Sequence, residues 1–424
     1  MKKIQYLVVC LLILFFSSCA KEEVDIFSAS PAERLNEALK ADFKLLVSSE
    51  NGWVMEYFAK PTSPGYSLLV KFNASGNAIF AAKSELTKNK EFELDSCLFE
   101  MIGDNGPVLT FNTFNNVLHR FSNPEGYQLE GYGLEGDYEF VVMKADSNQI
   151  ILKGKKNEAL IILNKLPLDI LWTKYIDDLD GMNTILFSNN APKLTMTIGK
   201  SRYTFSNGIK HIFSIVKEGS VSNSIDATFI VTRSGVRFYS ELELEGNKFQ
   251  NFVLSNDKSA LVSTDNSELK ISGPDDLALY FLSYIQVWEF DANNLSANVK
   301  AHYDAIVQAC VEKYNAQDVK LAIKYYLPRK PFVLSLSFIA NGEKKEGNLE
   351  LTIKASGKNG LSMLYAGPTD ENGTTYYSDI QNLRDLTTLM SNSFAISTFA
   401  KINPQAIKFT KKTDANTWFT LVSK

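Results

Sequence analysis

Cys19 is the residue whose type and position most clearly point to a chemical modification. It follows Phe16-Ser17-Ser18 at the end of an apolar run from Ile4 to Phe16, and the chain starts with the cations Lys2 and Lys3. A charged start, an apolar core of about 7–15 residues and a small-residue cleavage site are typical of a secretory signal. The run is too short for a membrane span, which takes roughly 20 residues. We therefore predict a signal peptide over residues 1–18 and lipidation of the Cys19 thiol. A plain signal peptide with an incidental cysteine is the alternative.

A short tether follows the lipidation site, over residues 19–30. Fully stretched, it reaches on the order of 40 Å, so the folded body is expected to stay close to the membrane. Within the tether, Lys21, Glu22 and Glu23 resemble the acidic sorting signal that directs Bacteroidetes lipoproteins to the outer face of the outer membrane. A solvated, charged tether without a sorting role would have the same composition.

The segment from Gly126 to Tyr138 is the strongest candidate for ligand binding. It alternates glycines with tyrosines, including Tyr127 and Tyr132. Glycine lets a loop take conformations that other residues avoid, and tyrosine offers a flat face with a polar tip. Such aromatic platforms hold sugars and peptides, and binding sites often lie on loops of a rigid sheet. The alternative is a set of tight bends whose tyrosines pack on the sheet.

Motifs of known catalytic chemistry are missing from the sequence. His119, His211 and His302 are isolated and lack the spacing of a zinc site, so ordinary structural positions are expected for them. Ser267 and Lys270 match a Ser-x-x-Lys pattern, but the other elements of that catalytic set are absent. The sequence thus predicts a protein without enzymatic activity, although catalytic residues can also be scattered along a chain.

Two acidic stretches come near the spacing of a calcium-binding loop. Asp370-Glu371-Asn372-Gly373 has Pro368 at the first ligand position, which offers no side-chain oxygen. Asp177 to Gly181 has Ile176 there and fails in the same way. We expect both stretches to be turns and predict neither a metal nor a cofactor.

Composition limits the classes of partner and the disulfide chemistry. Acidic residues outnumber basic ones by 48 to 44, and no basic stretch is of the kind that follows a phosphate backbone, so no nucleic-acid partner is expected. In the exported body only Cys97 and Cys310 remain. They can pair outside the cytoplasm, or they can be two buried free thiols.

The elements that must position these residues follow from hydrophobic periodicity. Ser30-Pro31-Ala32-Glu33 predicts a helix start with a capping box and a proline at the first position. From Trp53 the period changes to two, with turns such as Asn73 to Gly76 between short strands, which favours an antiparallel meander. Further helices are predicted over Pro167–Leu179, Ala297–Tyr314 and Ser378–Met390, with strands between them.

These elements predict an α+β fold, mainly antiparallel β meanders with several packed helices. We expect three domains after the tether: a helix plus β meander over residues 31–165, a β-rich middle domain over 166–290 and an α+β domain over 291–424. The helix and strands from Ser30 to Gly76 look like those from Ala297 to Gly342. A duplication and independent helix-plus-meander patterning are both compatible with that likeness.

The first 165 residues resemble a Bacteroidetes lipoprotein family known as domain of unknown function 4302. The resemblance lies in several short stretches: Glu33-Arg34-Leu35, Gly52-Trp53, Gly65-Tyr66, Lys71-Phe72, Gly106 to Phe111, Asn116 to His119, Ser122-Asn123-Pro124, Gly136 to Phe140 and Leu152 to Lys156. It implies an accessory surface lipoprotein of a TonB-dependent uptake system of the SusC/SusD type. It implies no activity that can be assigned to a residue.

Together these features predict an outer-membrane lipoprotein that faces the cell exterior. We expect a non-enzymatic accessory or ligand-binding component of a nutrient uptake system, held to the membrane by its N-terminal lipid. A TonB-dependent transporter complex and a glycan or peptide ligand are the expected partners. The competing classes are an extracellular hydrolase of glycan or peptide and a structural or adhesive surface protein.

Overall fold

The computed structural model describes residues 29–124, 133–188, 193–220, 224–283, 287–325 and 332–424. Within these ranges the chain forms three closed barrels, each of eight antiparallel strands that neighbour one another in chain order. We call them barrel 1, barrel 2 and barrel 3 from the N-terminus. In each barrel the last strand pairs with the first, so a simple meander closes on itself.

Barrel 1 contains eight strands: β1 Trp53–Phe58, β2 Gly65–Phe72, β3 Asn77–Ala82, β4 Glu93–Asp104, β5 Gly106–Phe111, β6 Glu139–Ala145, β7 Gln149–Gly154 and β8 Leu160–Lys165. Four residue pairs between β1 and β8, from Trp53↔Lys165 to Glu56↔Ile162, close it. The predicted turn between β2 and β3 is confirmed. The Asn73 side chain accepts the Asn77 N–H at 3.0 Å, and Gly76 takes a φ of +80° that favours glycine.

Barrel 2 also has eight strands: β9 Leu194–Ile198, β10 Ser201–Ile209, β11 Ile212–Lys217, β12 Ser224–Val231, β13 Gly235–Leu244, β14 Asn247–Leu254, β15 Ala260–Ser263 and β16 Lys270–Ser272. Its first and last strands are joined by the single pair Ser272↔Thr195. Aromatic packing fills the interior, with the Phe213 and Phe229 rings stacked at 4.6 Å. Offset and edge-to-face contacts of this kind stabilise a core beyond the area they bury.

Barrel 3 is built from β17 Trp288–Leu295, β18 Gln317–Tyr325, β19 Phe332–Ala340, β20 Glu343–Ala355, β21 Gly360–Pro368, β22 Ser393–Thr398, β23 Ala406–Lys411 and β24 Trp418–Ser423. It closes where β17 pairs with β24, beginning at Trp288↔Ser423. The loop between β22 and β23 leaves this barrel and places Ile402, which is fully buried, in the core of barrel 2. Barrels 2 and 3 therefore share apolar packing.

The described ranges contain six α-helices: α1 Pro31–Val47, α2 Trp172–Phe187, α3 Leu277–Ser283, α4 Ala297–Tyr314, α5 Glu371–Asp379 and α6 Gln381–Met390. The first three each precede a barrel and place a buried side chain in its core, namely Leu46, Leu186 and Phe281. No helix in this described part of the chain is long and apolar enough to cross a membrane.

The predicted start of α1 is confirmed in detail. Ser30 Oγ accepts the Glu33 N–H at 3.3 Å, and the Glu33 carboxylate accepts the Ser30 N–H at 2.8 Å. This reciprocal capping box satisfies two backbone donors that a helix end leaves without partners. Phe43 then stacks on Phe99 of barrel 1 at 5.6 Å, which fixes the helix against the barrel core.

The prediction of a packed α+β fold is wrong. The chain is mostly antiparallel β structure in three eight-stranded barrels, and the helices are few. The period-two patterns were those of real strands, but a meander has the same pattern whether it stays open or closes. The predicted domain boundary at 165/166 falls at the end of β8, and that at 290/291 falls within β17.

The helix that was compared with α1 occupies a different place in its barrel. α4 lies between β17 and β18, whereas α1 precedes β1. The similar stretches Ser30 to Gly76 and Ala297 to Gly342 are therefore offset by one strand from the arrangement of helix and barrel. This offset favours independent patterning over a duplication of that segment.

Barrels 1 and 2 are packed side by side, and β1 shows this contact most clearly. Every residue of β1 is buried, because Trp53, Met55 and Tyr57 face the core of barrel 1 and the alternate residues face outward into other protein. Val54 packs under α2, and Phe58 packs on Ile230 of barrel 2. A strand covered on both faces is largely apolar, and the one charged residue of β1, Glu56, is buried as well.

Candidate functional site

A cleft with a volume of about 300 Å³ lies between barrel 1, barrel 2 and α2. That volume is at the lower end of the range for small-molecule sites. The walls combine apolar side chains with a group of polar ones: Tyr66, Lys83, Glu85, Asp180, Lys210 and His211. Sites of this kind, concave and with convergent polar groups at the meeting of two domains, are the usual places for ligands.

Three structural elements bring these residues together. α2 packs Tyr175, Ile176 and Leu179 on the outer surface of barrel 1, which places Asp180 and Asn183 in the next turn at the cleft. Barrel 1 contributes the start of β2 and the loop after β3. Barrel 2 contributes the turn between β10 and β11, with Lys210 and His211.

His211 is the most buried polar residue of the cleft, at 4 % exposure. Its backbone φ is +57°, in the left-handed region that side chains rarely adopt. Nδ1 lies 2.8 Å from the Gly65 carbonyl oxygen of barrel 1, and a carbonyl can only accept, so Nδ1 carries a hydrogen. Nε2 lies 3.1 Å from the Oδ1 position of Asn183 on α2; because Nε2 of an uncharged ring accepts, the Asn183 amide must turn its NH2 group toward the ring to donate this hydrogen bond. The ring thus joins barrel 2 to barrel 1 and to α2.

Burial and, second to it, the charge of Lys210 lower the pKa of His211 to about 4. The hydrogen bond to Gly65 and the charge of Glu85 oppose this shift but do not cancel it. At neutral pH the imidazole is therefore uncharged. It acts as a fixed hydrogen-bonding group in the wall of the cleft.

Two ion pairs cross the cleft. Lys210 of barrel 2 pairs with Glu85 of barrel 1, and Tyr66 donates its hydroxyl to the same carboxylate at 3.0 Å. Burial would raise the pKa of Glu85, but the hydrogen bond and charge of Lys210 outweigh it, and the pKa stays below its usual value. Lys83 of barrel 1 contacts Asp180 of α2 at 2.9 Å. The walls therefore present fixed charges of both signs.

This arrangement suits recognition by hydrogen bonds. Lysine ammonium groups donate, carboxylates accept, and hydroxyl and amide groups do both. A ligand with several polar groups could exchange water for these partners on entry. Among the described residues, no three His, Cys, Asp or Glu side chains lie close enough together to hold a metal ion.

Most residues singled out in the sequence as functional candidates lie outside the described residues. These are Cys19, Lys21, Glu22 and Glu23 of the N-terminus, and Tyr127 and Tyr132 of the glycine-rich segment. Lipidation, sorting and ligand binding by those residues stay predictions.

The remaining candidates have structural positions. Asp370 caps α5, with its Oδ1 accepting the Gly373 N–H at 2.6 Å, and Asp177 lies inside α2. Cys97 and Cys310 are both free and buried. Burial raises the pKa of each thiol to about 12, which keeps them protonated and unreactive.

The stretches that carried the family resemblance have clear roles in barrel 1. The Asp137 carboxylate accepts the backbone N–H groups of Lys156 and Asn157, each at 3.0 Å. A Cβ on Gly154 would lie 2.2 Å from that carboxylate, so the close approach requires glycine. Tyr57 donates its hydroxyl to the Asp137 carbonyl at 2.9 Å. These contacts hold the start of β6 to the end of β7.

His211, Glu85 and Lys210 could not be identified as site residues from the sequence. Each is unremarkable in its own segment, and they meet only because barrels 1 and 2 pack together. One signal was present: Gly65-Tyr66 belongs to the family resemblance, and in the structure Gly65 supplies the carbonyl that His211 binds. A Cβ there would lie 2.8 Å from Cβ of Ile230 in barrel 2, so this approach of the two barrels requires a glycine.

Comparison with known proteins identifies a family without assigning a function. The model of the family described as Domain of unknown function (DUF4302) matches residues 23–256. This match spans more than half of the sequence, and the chain belongs to that family. No curated protein matches the sequence.

Several solved structures match over most of the chain but at low scores. The beta subunit from DNA polymerase of Streptococcus pyogenes is 11% identical, with a TM-score of 0.13, and the match covers 91% of this chain and 96% of that one. The DNA polymerase III beta chain of Streptococcus pneumoniae is 12% identical, with a TM-score of 0.12 and coverages of 92% and 97%. Pol III beta of Caulobacter crescentus is 9% identical, with a TM-score of 0.15 and coverages of 92% and 98%. Scores this low say nothing about the function of the chain.

Proposed function

We propose that this member of the domain of unknown function 4302 family is a lipid-anchored surface protein that binds a small polar ligand between barrels 1 and 2. The observation that carries the proposal is the cleft itself, with Glu85, Lys210 and His211 held in place by partners from two barrels. Groups that are already oriented lose little freedom when a ligand binds, which favours affinity.

Binding is a better match to this site than catalysis. A general base needs a free lone pair within reach of a substrate proton. Here both ring nitrogens of His211 face protein partners, and Glu85 is bound by Lys210 and Tyr66. The Lys210 ammonium and the Glu85 carboxylate still have more donor and acceptor positions than these contacts occupy, and we infer a recognition role for them. A sugar unit of a glycan or a short peptide has the donors and acceptors to match.

The N-terminal sequence supports the location. The charged start, apolar run and Cys19 favour export and lipidation, and Lys21-Glu22-Glu23 favours display on the outer face of the outer membrane, as in Bacteroidetes. A short tether would hold the cleft close to membrane proteins. We infer that the protein passes its ligand to a TonB-dependent transporter of the SusC/SusD type.

Binding is tested by changing one wall of the cleft. Asp180→Asn is expected to weaken the binding of a sugar or short peptide about tenfold or more, because a hydrogen bond to a charged group contributes about 1.5–3 kcal/mol. Calorimetry on the purified protein measures the dissociation constant for ligands found in a panel of mono- and oligosaccharides and short peptides. Asp177→Asn, the same change on the same helix outside the cleft walls, is expected to leave affinity unchanged.

Equal affinity of the two variants would place the ligand elsewhere on the protein. Conversion of any panel compound into smaller products, followed by mass spectrometry, would replace binding with hydrolysis as the function.

The transporter partner is tested separately. The tagged, lipidated protein is recovered from its own outer membrane in a mild detergent, and we expect a TonB-dependent transporter in near-equal amounts. Recovery of the protein alone would contradict the accessory role and leave a free-standing binding protein.

A further inference from the structure

His211 is placed where barrel 1 and barrel 2 must part if the cleft is to open. It belongs to the turn between β10 and β11 of barrel 2, and it bonds the carbonyl of Gly65 at the start of β2 in barrel 1. At 4 % exposure, it is shielded from water by the same packing. The barrels cannot separate without breaking that hydrogen bond and wetting the ring.

The surroundings of the ring make a second positive charge unfavourable while the cleft is closed. Lys210 adjoins His211 in the same turn, and the Phe229 ring of barrel 2 lies 5.4 Å away. Barrel 1 presents Tyr66, whose ring is 5.9 Å from the imidazole, together with Glu85 and Lys83. α2 presents Asn183, Asp180 and the ring of Phe187. Glu85 is already neutralised by Lys210, and Asp180 by Lys83.

We propose that acid opens the cleft: protonation of His211 favours separation of barrel 1 from barrel 2, and a ligand bound between them is released. The part of this inference that concerns a ligand rests on the proposed function, whereas the opening itself does not. The separated state hydrates the ring, and water screens it from the charge of Lys210, so the imidazolium is better accommodated there than in the closed junction.

Proton linkage gives the direction and the size of the effect of pH on opening. In the closed state the pKa of His211 is about 4, and a hydrated histidine has a pKa of about 6.5. At pH values between these two, the open state binds more protons than the closed state, so opening becomes more favourable as the pH falls. Above pH 6.5 the ring is uncharged in both states, and opening no longer depends on pH. At about pH 4.5 the opening constant is expected to exceed its neutral value by roughly 50- to 100-fold.

The experiment measures the exposure of a thiol placed between the two barrels. Ala159 is 1 % exposed and packs in one cluster with Phe58 and with Ile230 of barrel 2, so Ala159→Cys reports separation. A disulfide reagent that reacts at acid pH labels the full-length lipidated protein at pH 7 and 4.5, and rates are divided by those of a free thiol. The native Cys97 and Cys310 are buried in barrels 1 and 3 and report any general unfolding.

We expect the normalised labelling rate of A159C to rise roughly 50- to 100-fold at pH 4.5, while Cys97 and Cys310 stay unlabelled. Adding His211→Asn, which tolerates a positive φ, is expected to reduce the rise to about threefold or less. Adding His302→Asn, on α4 beside barrel 3, is expected to leave the rise intact. An unchanged rise with H211N, or no rise in its absence, would overturn the proposal.

The labelling pattern separates misfolding and loss of ligand binding from loss of the acid switch. If H211N exposes Cys97 or Cys310 at pH 7, the variant is misfolded and His211→Gln takes its place. Labelling needs no ligand. A protein that opens with acid but binds no ligand would therefore confirm the acid-driven opening and contradict the proposed function.

Discussion

Replacing Arg237 with methionine is expected to lower the free energy of unfolding by about 3–5 kcal/mol, the usual cost of breaking a buried ion pair. Arg237 of β13 in barrel 2 contacts Glu56 of β1 in barrel 1, with Nε 2.6 Å from the carboxylate. The two side chains are only 15% and 10% exposed. Without the guanidinium, Glu56 keeps the Asn164 amide at 3.0 Å but has a buried charge without a counterion.

Urea unfolding followed by tryptophan fluorescence measures the effect. The matched control is the double variant Glu56→Met with Arg237→Met, which removes both charges. It is expected to be far closer to the unchanged protein, because replacing a whole buried pair by apolar side chains is often neutral or stabilising. A loss below about 1 kcal/mol in R237M would mean that water reaches the pair and that the junction is looser than described.

Replacing Cys19 with serine is expected to release the protein from the membrane almost completely. Each lipid methylene buried in the bilayer contributes about 0.8 kcal/mol, so loss of the acyl chains removes the main attachment. Metabolic labelling with an alkyne fatty acid and fractionation of washed membranes measure both the modification and the attachment.

Cys10→Ser is the matched control for lipidation, since Cys10 lies within the apolar run of the signal. It is expected to leave labelling and membrane attachment intact. Fatty-acid labelling that persists in C19S would contradict the lipidation site and would favour a plain signal peptide.

The local elements could be predicted from sequence wherever short-range chemistry decides them. Ser30, Pro31 and Glu33 fix the start of α1 through contacts within one turn. The predicted helix over Ala297–Tyr314 is confirmed with the same bounds, because apolar residues recur at helical spacing and Asn315 ends it in a left-handed conformation. α3 was not predicted, since seven largely apolar residues look the same in a short helix and in a buried strand.

Barrel closure could not be predicted, because it depends on pairs far apart in sequence. Trp53 pairs with Lys165, and neither residue carries a mark of its partner. The inward and outward faces of β1 could not be told apart from its sequence either. Val54 and Phe58 are apolar because α2 and barrel 2 cover them, so the outward face of β1 has a single polar residue, the buried Glu56.

The cleft could not be predicted either, because its residues are also far apart in sequence. Glu85, Lys210 and His211 come from two barrels and become neighbours only through packing. The pKa of His211 depends on burial and on Lys210, and only the second is visible in the sequence. Tyr127 and Tyr132 were chosen for composition alone, and their role in binding stays a prediction.

Ligand binding between barrels 1 and 2 can be seen directly in a crystal structure of the mature protein with the tightest ligand from the panel of sugars and peptides. We predict ligand density within the cleft, in hydrogen-bonding contact with Asp180 and with Lys210 or Glu85. Density at another surface, with the cleft occupied by water alone, would show that the cleft is not the binding site.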